Sequence, residues 1–404
     1  MPDVEFVNLF AVSLIAFAAP LLLGFVPALR IPAVVVEIVA GVVVGPGGLD
    51  LVSIDLPVQI MALVGLAFLL FLAGLEIDVH RLRGGVLRLA LIGYVVTLVL
   101  GTAGGVGFDA LGWVDSPLLL AVTLSATSLG LIVPVLKDAG RADSDVGQVT
   151  IASSSVADFA AVVLLSLLFS TSGGSTGGRL VLLGGFAVLV AVTGLVVAAA
   201  GRSRPLGEVL VRLQDSTAEI RVRAAVALLV AFVALAERFG LESILGAFLA
   251  GAVVGLVDRD TSSHPFFRAK LDAIGYGFAI PVFFVTSGLR LDLGGLFASP
   301  AALARVPIFL LALLVVRGVP ALLYAQTLGR REAFAAGLLQ ATSLPFIVTA
   351  TQIGVIVGLL EPVTAAALTT AGLLSVLIFP AAALALLRSQ HAPAAEARPD
   401  SAVD

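Results

Sequence analysis

Asp158 is the residue in this chain with the clearest capacity for chemistry. It lies in Thr150-Ile-Ala-Ser-Ser-Ser-Val-Ala-Asp158-Phe159, near the middle of an apolar segment with no other charge between Asp145 and Arg179. A carboxylate at that depth of a membrane costs on the order of 3 kcal/mol or more, so a chain that keeps one there uses it. Ser154 and Ser155 precede it by four and three residues, which puts both hydroxyls on its helical face. The cluster is all oxygen, one carboxylate with hydroxyls, and suits a proton or a hard monovalent cation.

A second signal is a repeat. Ala126-Thr127-Ser128-Leu129-Gly130-Leu131-Ile132-Val133 returns as Ala341-Thr342-Ser343-Leu344-Pro345-Phe346-Ile347-Val348, with six of eight positions identical. Each copy sits midway along an apolar segment and sets hydroxyls beside a helix-breaking residue, Gly130 or Pro345. Matched, interrupted hydrophobic segments in two halves of a chain point to the midplane binding site of an inverted-repeat carrier. Where such a helix unwinds, its freed amides and carbonyls need side chains, water or an ion, because lipid offers nothing to bond them. Thr127, Ser128, Thr342, Ser343 and Pro345 therefore join Asp158, Ser154 and Ser155 as candidate site residues. The plainer alternative is a kinked helix whose hydroxyls bond back to their own backbone.

Arg317, in Leu313-Leu-Val-Val-Arg317-Gly-Val-Pro320, lies about a dozen residues from either end of its segment, too deep for its side chain to reach water. It needs a carboxylate or the carbonyl end of a helix; Asp158 and the broken helices supply both kinds. Three further acids are candidate accessory groups. Glu37 lies at the edge of a short apolar stretch ending in Gly45-Pro46. Glu76 closes the third segment next to a basic loop at Arg81 and is expected to pair with loop arginines. Glu242 opens the ninth segment, at a vestibule.

These residues require a scaffold of membrane-spanning helices. The chain has 404 residues, 59% hydrophobic and 12% charged, against roughly 25% charged in a soluble domain. Its net charge of −4 implies no nucleic-acid or acidic partner, and it has no cysteine. Its three histidines, His80, His264 and His391, form no metal-ligand cluster, so no metal or other cofactor is expected beyond a transported ion. Windows of span length give thirteen candidate helices: about 6–25, 32–46, 58–76, 86–108, 116–135, 147–170, 180–200, 221–240, 242–257, 271–289, 301–328, 333–355 and 362–387. Twelve is the competing count, and 221–257 could be divided differently. With the N-terminus outside, 18 of the 23 basic residues fall in inside loops and four outside, the positive-inside bias. That orientation leaves the C-terminus cytoplasmic. Residues 391–404 read as a disordered cytoplasmic tail, with no soluble regulatory domain and no obligate soluble partner expected. Pairs of glycines four apart, Gly41 with Gly45 and Gly251 with Gly255, mark faces where helices approach closely.

Taken in order, Glu37-Ile-Val-Ala-Gly41 to Gly45-Pro46, Phe71-Leu-Ala-Gly74-Leu75-Glu76, Ala126-Thr127-Ser128, the Asp158 segment, Leu245-Gly-Ala-Phe-Leu-Ala-Gly251 and Phe283-Phe284 to Gly288 are similar to the recurring segments of a known family. The chain resembles the monovalent cation:proton antiporters of the sodium/hydrogen exchanger superfamily, nearest the cation:proton antiporter-2 branch. The resemblance implies a homodimer in the plasma (inner) membrane, with two crossed broken helices beside the essential aspartate. It assigns 86–170 and 301–387 to a mobile core and 6–76 and 180–289 to a dimerisation scaffold, all within a membrane domain spanning 1–390. It makes Asp158 the ion- and proton-binding acid and Arg317 the charge that compensates the broken helices. Electrogenic relatives carry two adjacent acids where this chain has Ala157 and Asp158, so one-for-one Na+ (or K+) exchange for H+ is expected. The alternatives are a sodium-coupled organic-solute symporter of related architecture, a ligand-gated potassium-efflux transporter, and a channel-like pore. The first would call on several amide side chains, and the only Asn is Asn8. Enzymatic activity has no support, since no nucleophile–base pair or phosphate loop is present.

Overall fold

The computed structural model of the chain describes residues 5–25, 32–76, 84–169, 176–201, 219–257 and 266–388. The loop at Arg81 and the tail 391–404 lie outside the described residues. Within them the chain is helical throughout, without strands: α1 (Val7–Phe25), α2 (Ala33–Val44), α3 (Leu56–Leu75), α4 (Gly84–Ala110), α5 (Pro117–Ser125), α6 (Leu129–Asp138), α7 (Asp145–Phe169), α8 (Thr176–Gly201), α9 (Ile220–Arg238), α10 (Ser243–Val257), α11 (Phe267–Ile274), α12 (Ile280–Leu289), α13 (Leu293–Phe297), α14 (Pro300–Leu313), α15 (Ala325–Leu328), α16 (Arg330–Gln340), α17 (Pro345–Ile356) and α18 (Pro362–Arg388). Each of the thirteen apolar windows is occupied by a helix or by consecutive helical pieces. Among the described residues seven are long and apolar enough to cross a membrane alone, and α16 with α17, bent by 43° at their break, meet the same length and composition requirement together. The others are shorter or carry charge. The stretch 221–257 divides at Gly240, whose left-handed backbone (φ 67°) ends α9. There the Leu241 amide returns to the Ala236 carbonyl at 2.9 Å.

Helix starts follow local chemistry. Asp55, Ser116 and Ser299 each accept a hydrogen bond from the amide three residues on, and each is followed at once or one residue later by a proline in the first turn, where its missing N–H costs nothing. Two long spans are distorted instead of broken. π-Helical turns at Gly275–Ala279 and Leu314–Gly318 come just before Pro281 and Pro320. Each proline removes one donor from the ladder, and the widened turn absorbs the mismatch.

The helices pack as two groups. In one, α3 lies against α10 and α12, α2 against α12 and α1, and α9 against α10. In the other, α4, α5 and α7 pack together, and α18 carries α14, α16 and α17. The glycine faces read from the sequence do their expected work in the first group. A Cβ on Gly41 would collide with the Val285 carbonyl, and one on Gly288 with that of Ile38, so α2 and α12 touch backbone to backbone. A Cβ on Gly251 would likewise collide with the Phe71 carbonyl, and one on Gly255 would stand 2.9 Å from that of Leu75. With no hydrophobic drive between helices in lipid, such close approach is the main source of cohesion.

Candidate ion-binding site

The two repeated stretches meet. The helix of the first copy stops at Ser125, Ala126–Ser128 is non-helical, and α6 starts at Leu129; in the second, α16 stops at Gln340 and α17 starts at Pro345. The breaks therefore lie on the N-terminal side of Gly130 and Pro345, not at them. Pro345 opens its half-helix, and Gly130 sits in the first turn of α6, where a Cβ would stand 3.3 Å from the Tyr276 hydroxyl. The non-helical segments bond to each other across the site. The Ser128 amide donates to the Thr342 carbonyl at 3.0 Å, and the Leu344 amide donates to Ser128 Oγ at 3.1 Å.

Asp158 serves the first break. Its Oδ1 accepts from the Thr127 amide at 3.0 Å and its Oδ2 from the Leu129 amide at 3.2 Å. Two of the amides freed at the start of α6 are thus satisfied by one carboxylate, at the end of the helix where the backbone dipole favours negative charge. Each oxygen keeps a further lone pair, and the residue is partly exposed, into a cavity.

Arg317, 2% exposed, serves the second break. It forms no ion pair with Asp158; its partners are hydroxyls and a helix-end carbonyl. Nε and Nη2 donate to Thr127 Oγ1 at 2.9 and 2.6 Å, Nη1 donates to Thr97 Oγ1 at 3.2 Å, and Nε also reaches the carbonyl of Gln340, the last residue of α16, at 3.4 Å. Thr127 Oγ1 in turn donates to that carbonyl at 2.9 Å. One donor and two acceptor positions are all that a threonine hydroxyl has. The Thr127 hydroxyl is therefore fully used, and this residue links the two charges: its amide holds Asp158 and its oxygen holds Arg317.

The serines of α7 sit differently from the expected cluster. Ser155 Oγ donates to the Ile151 carbonyl at 2.9 Å, while Ser154 Oγ is fully buried without a hydrogen-bond partner among the described residues. Neither lines the cavity. Sharing a helical face with Asp158 was correct for the backbone, but the Ser155 hydroxyl bonds within its own helix. Thr342 and Ser343 support the crossing and do not line the cavity. The Thr342 hydroxyl bonds back to Leu338, and the Ser343 amide donates to Ser375 Oγ at 3.1 Å.

Ser375 escaped sequence reading. It donates to the carbonyls of Ser343 and Gly372, so α18 supports the second break as α7 supports the first. Its position was a signal: it stands 32 residues after Ser343, as Asp158 stands 31 after Thr127. Tyr94 and Tyr324 were missed as well. Their hydroxyls bond Ser125 and Ser153 at 3.1 and 2.8 Å and tie α4 and the α14 span to the site.

A cavity of about 280 Å³ separates the two helix groups at this point. One wall carries Thr127, Ser128, Asp158 and Pro345; the other carries Glu37, Ala73, Phe248 and Tyr276. Most of the remaining lining is apolar. Of the accessory acids, Glu37 lines it, and Glu76 and Glu242 do not. Glu76 caps α3 with Oε2 buried and unbonded among the described residues; Arg268, Asp272 and Lys137 are its charged neighbours there. Glu242 turns into α10 with its amide on Ser166 Oγ at 3.1 Å. Away from the cavity lining, Arg290 Nη1 donates to Gln352 Oε1 at 3.2 Å, and Gln352 Nε2 donates to Ser287 Oγ at 3.3 Å, joining α12 to α17.

Comparison with known proteins agrees with this architecture. Residues 13–388 match the family model described as sodium/hydrogen exchanger, transmembrane. The chain belongs to the sodium/hydrogen exchanger family. It is thus a multi-pass membrane protein of a transporter family, not an enzyme. It is 33% identical over 369 residues to YjbQ of Bacillus subtilis (strain 168), named as a candidate Na+/H+ antiporter, covering 88% of this chain and 58% of that one. It is 28% identical over 406 residues to the glutathione-regulated potassium-efflux protein KefC of Salmonella schwarzengrund (strain CVM19633), covering 96% and 62%. The chain therefore spans about three fifths of the length of these relatives. The solved structure of the sodium proton antiporter MjNhaP1 from Methanocaldococcus jannaschii superposes with a TM-score of 0.68, covering 94% of this chain and 97% of that one at 19% identity, which establishes a shared fold.

Proposed function

We propose that this chain is a secondary antiporter exchanging one monovalent cation, Na+ or K+, for one proton across the plasma membrane, with Asp158 as the shared binding group. The observation that carries the reading is the attachment of Asp158: both oxygens rest on the amides of a broken helix while the residue lines the cavity between the helix groups. A carboxylate so placed binds a proton or a cation, never both, and competition for it couples the two fluxes. Ser128 Oγ, which keeps a free lone pair, is the hydroxyl available to assist; Thr127 contributes through its amide.

The charge balance supports electroneutral exchange. Asp158 is neutral when protonated and neutral when paired with one monovalent cation, and Arg317 keeps the same hydroxyl and carbonyl partners in either case. Ala157 is fully buried against Ala90 and Tyr94, away from the cavity. Alternating access would come from the group containing α4–α7 and α14–α18 moving, as an elevator, against the group containing α1–α3 and α9–α12. The cavity beside Asp158 and the Arg290–Gln352–Ser287 contacts away from its lining favour a state open to one side. By the distribution of basic residues that side is the cytoplasm, with the N-terminus outside and the C-terminus inside. The homodimer implied by the resemblance is part of the same reading. Na+ is named for YjbQ and for the Na+/H+ antiporter of Enterococcus hirae, 30% identical over 269 residues; K+ is named for KefC.

The test is proton flux in proteoliposomes driven by gradients of Na+, K+ or Li+. Acidification or alkalinisation that follows at least one of these gradients is expected. Cation gradients that move no protons, combined with cation-dependent uptake of an organic solute, would replace the reading by the symporter.

A further inference from the structure

Glu37 is the charged residue of the cavity for which single-site exchange at Asp158 has no use. It is 5% exposed, lies one turn into α2, and lines the same cavity as Asp158 from the opposite wall. Its neighbours on α2, Val34, Val35, Ile38 and Gly41, are buried in the packing of that helix. Among the described residues Glu37 has no hydrogen-bond or ion-pair partner. The helices packed against α2 bring no titratable group to it: α1 (Val7–Phe25) and α12 (Ile280–Leu289) contain none. The other titratable groups on the cavity lining, among the described residues, are Asp158 on the opposite wall and Tyr276 on the same wall as Glu37. A buried carboxyl with no cationic partner is neutralised either by its own proton or by a cation that enters from the cavity, the same choice that Asp158 has.

We propose that Glu37 is a second cation-binding carboxylate, fixed on the static wall, which takes the monovalent cation on its way to or from Asp158. The inference rests on the reading of Asp158 as the exchange site. The cavity is large against the roughly 30 Å³ occupied by one water, so a cation can pass between the two carboxylates with part of its hydration shell. Hard cations prefer oxygen ligands, and two carboxylates facing one small, otherwise apolar chamber raise the local cation concentration where Asp158 must capture it. Glu76 is not equivalent. It does not line the cavity, and its charged neighbours, Arg268, Asp272 and Lys137, include two cations, which Glu37 lacks.

The experiment uses the purified full chain. In proteoliposomes, Glu37→Gln should raise the half-saturating Na+ concentration for proton exchange about tenfold, the effect of ~1.4 kcal/mol of lost binding, with the maximal rate reduced far less. Glu37→Asp should recover most of the affinity. Radioactive sodium binding in detergent gives a second reading: Asp158→Asn should keep weak binding that disappears in the Asp158→Asn, Glu37→Gln double variant. A half-saturating concentration within about twofold of the unmodified protein in folded Glu37→Gln, or identical sodium binding by the single and double Asp158 variants, would overturn the proposal. Should Glu37→Gln fail to fold, the binding comparison is made with Glu37→Ala on the Asp158→Asn background, and unchanged binding overturns it equally. Failure of the exchange reading looks different: Asp158→Asn would then retain exchange, whatever Glu37 does.

Discussion

Replacing Thr127 by valine isolates the link between the two buried charges. Valine keeps the shape of threonine and the backbone amide that holds Asp158, and removes only Oγ1. That atom accepts two guanidinium hydrogen bonds, at 2.9 and 2.6 Å, and donates to the Gln340 carbonyl at 2.9 Å. Arg317 would be left with Thr97 Oγ1 at 3.2 Å and a long contact to Gln340 at 3.4 Å. Hydrogen bonds to a charged group contribute about 1.5–3 kcal/mol each, and losing the two that Thr127 Oγ1 accepts from Arg317 costs about 3–6 kcal/mol. We take the latter range for Thr127→Val, on the order of a hundredfold or more in the folded population. Chemical denaturation in detergent micelles, followed by circular dichroism, measures it. Thr127→Ser restores the hydroxyl and should recover most of the loss. A Thr127→Val protein within about threefold of the unmodified folded population would refute the bridging role and the accounting of the Arg317 charge.

The remaining predictions are of the same kind. Ser375→Ala removes the hydroxyl that receives the Ser343 amide and should cost about 1–2 kcal/mol in the same denaturation experiment; no change would detach α18 from the second break. Gly251→Val drives a side chain into the Phe71 carbonyl and should eliminate folded protein on size-exclusion chromatography, whereas Gly104→Ala, in open space on α4, should leave the yield intact. Exchange in proteoliposomes should proceed at the same rate with and without an imposed membrane potential; a clear voltage dependence would require a second charge to move with the cation.

Much of this architecture was legible in the chain because lipid makes polar residues conspicuous. Asp158 and Arg317 stood out as lone charges in apolar segments, and the paired Ala-Thr-Ser-Leu stretches stood out as repeated hydroxyls beside Gly130 and Pro345. What a single segment cannot reveal is which of several oxygens its neighbours use. Ser154 and Ser155 shared the helical face of Asp158 by spacing, yet the Ser155 hydroxyl is taken by Ile151 in its own helix. Thr127 had the composition of a cation ligand, but its hydroxyl is filled by Arg317 and Gln340, residues that reach it only through the fold. The breaks were placed a few residues late because glycine and proline are read as interrupters, whereas Pro345 is an ordinary first residue of a half-helix. Glu37 could be named but not aimed: α2 meets the cavity only because Gly41 and Gly288 bring it against α12.

The most direct measurement is cation-driven proton flux with Asp158→Asn. Asparagine fits the same space, and its one oxygen can still accept from one of the broken-helix amides, but it can neither take up a proton nor neutralise a cation. In proteoliposomes containing equal amounts of folded protein, the variant should show no proton movement in response to Na+, K+ or Li+ gradients. Substantial exchange by Asp158→Asn would contradict the claim that this one carboxylate, held on the broken helix, couples the two ions.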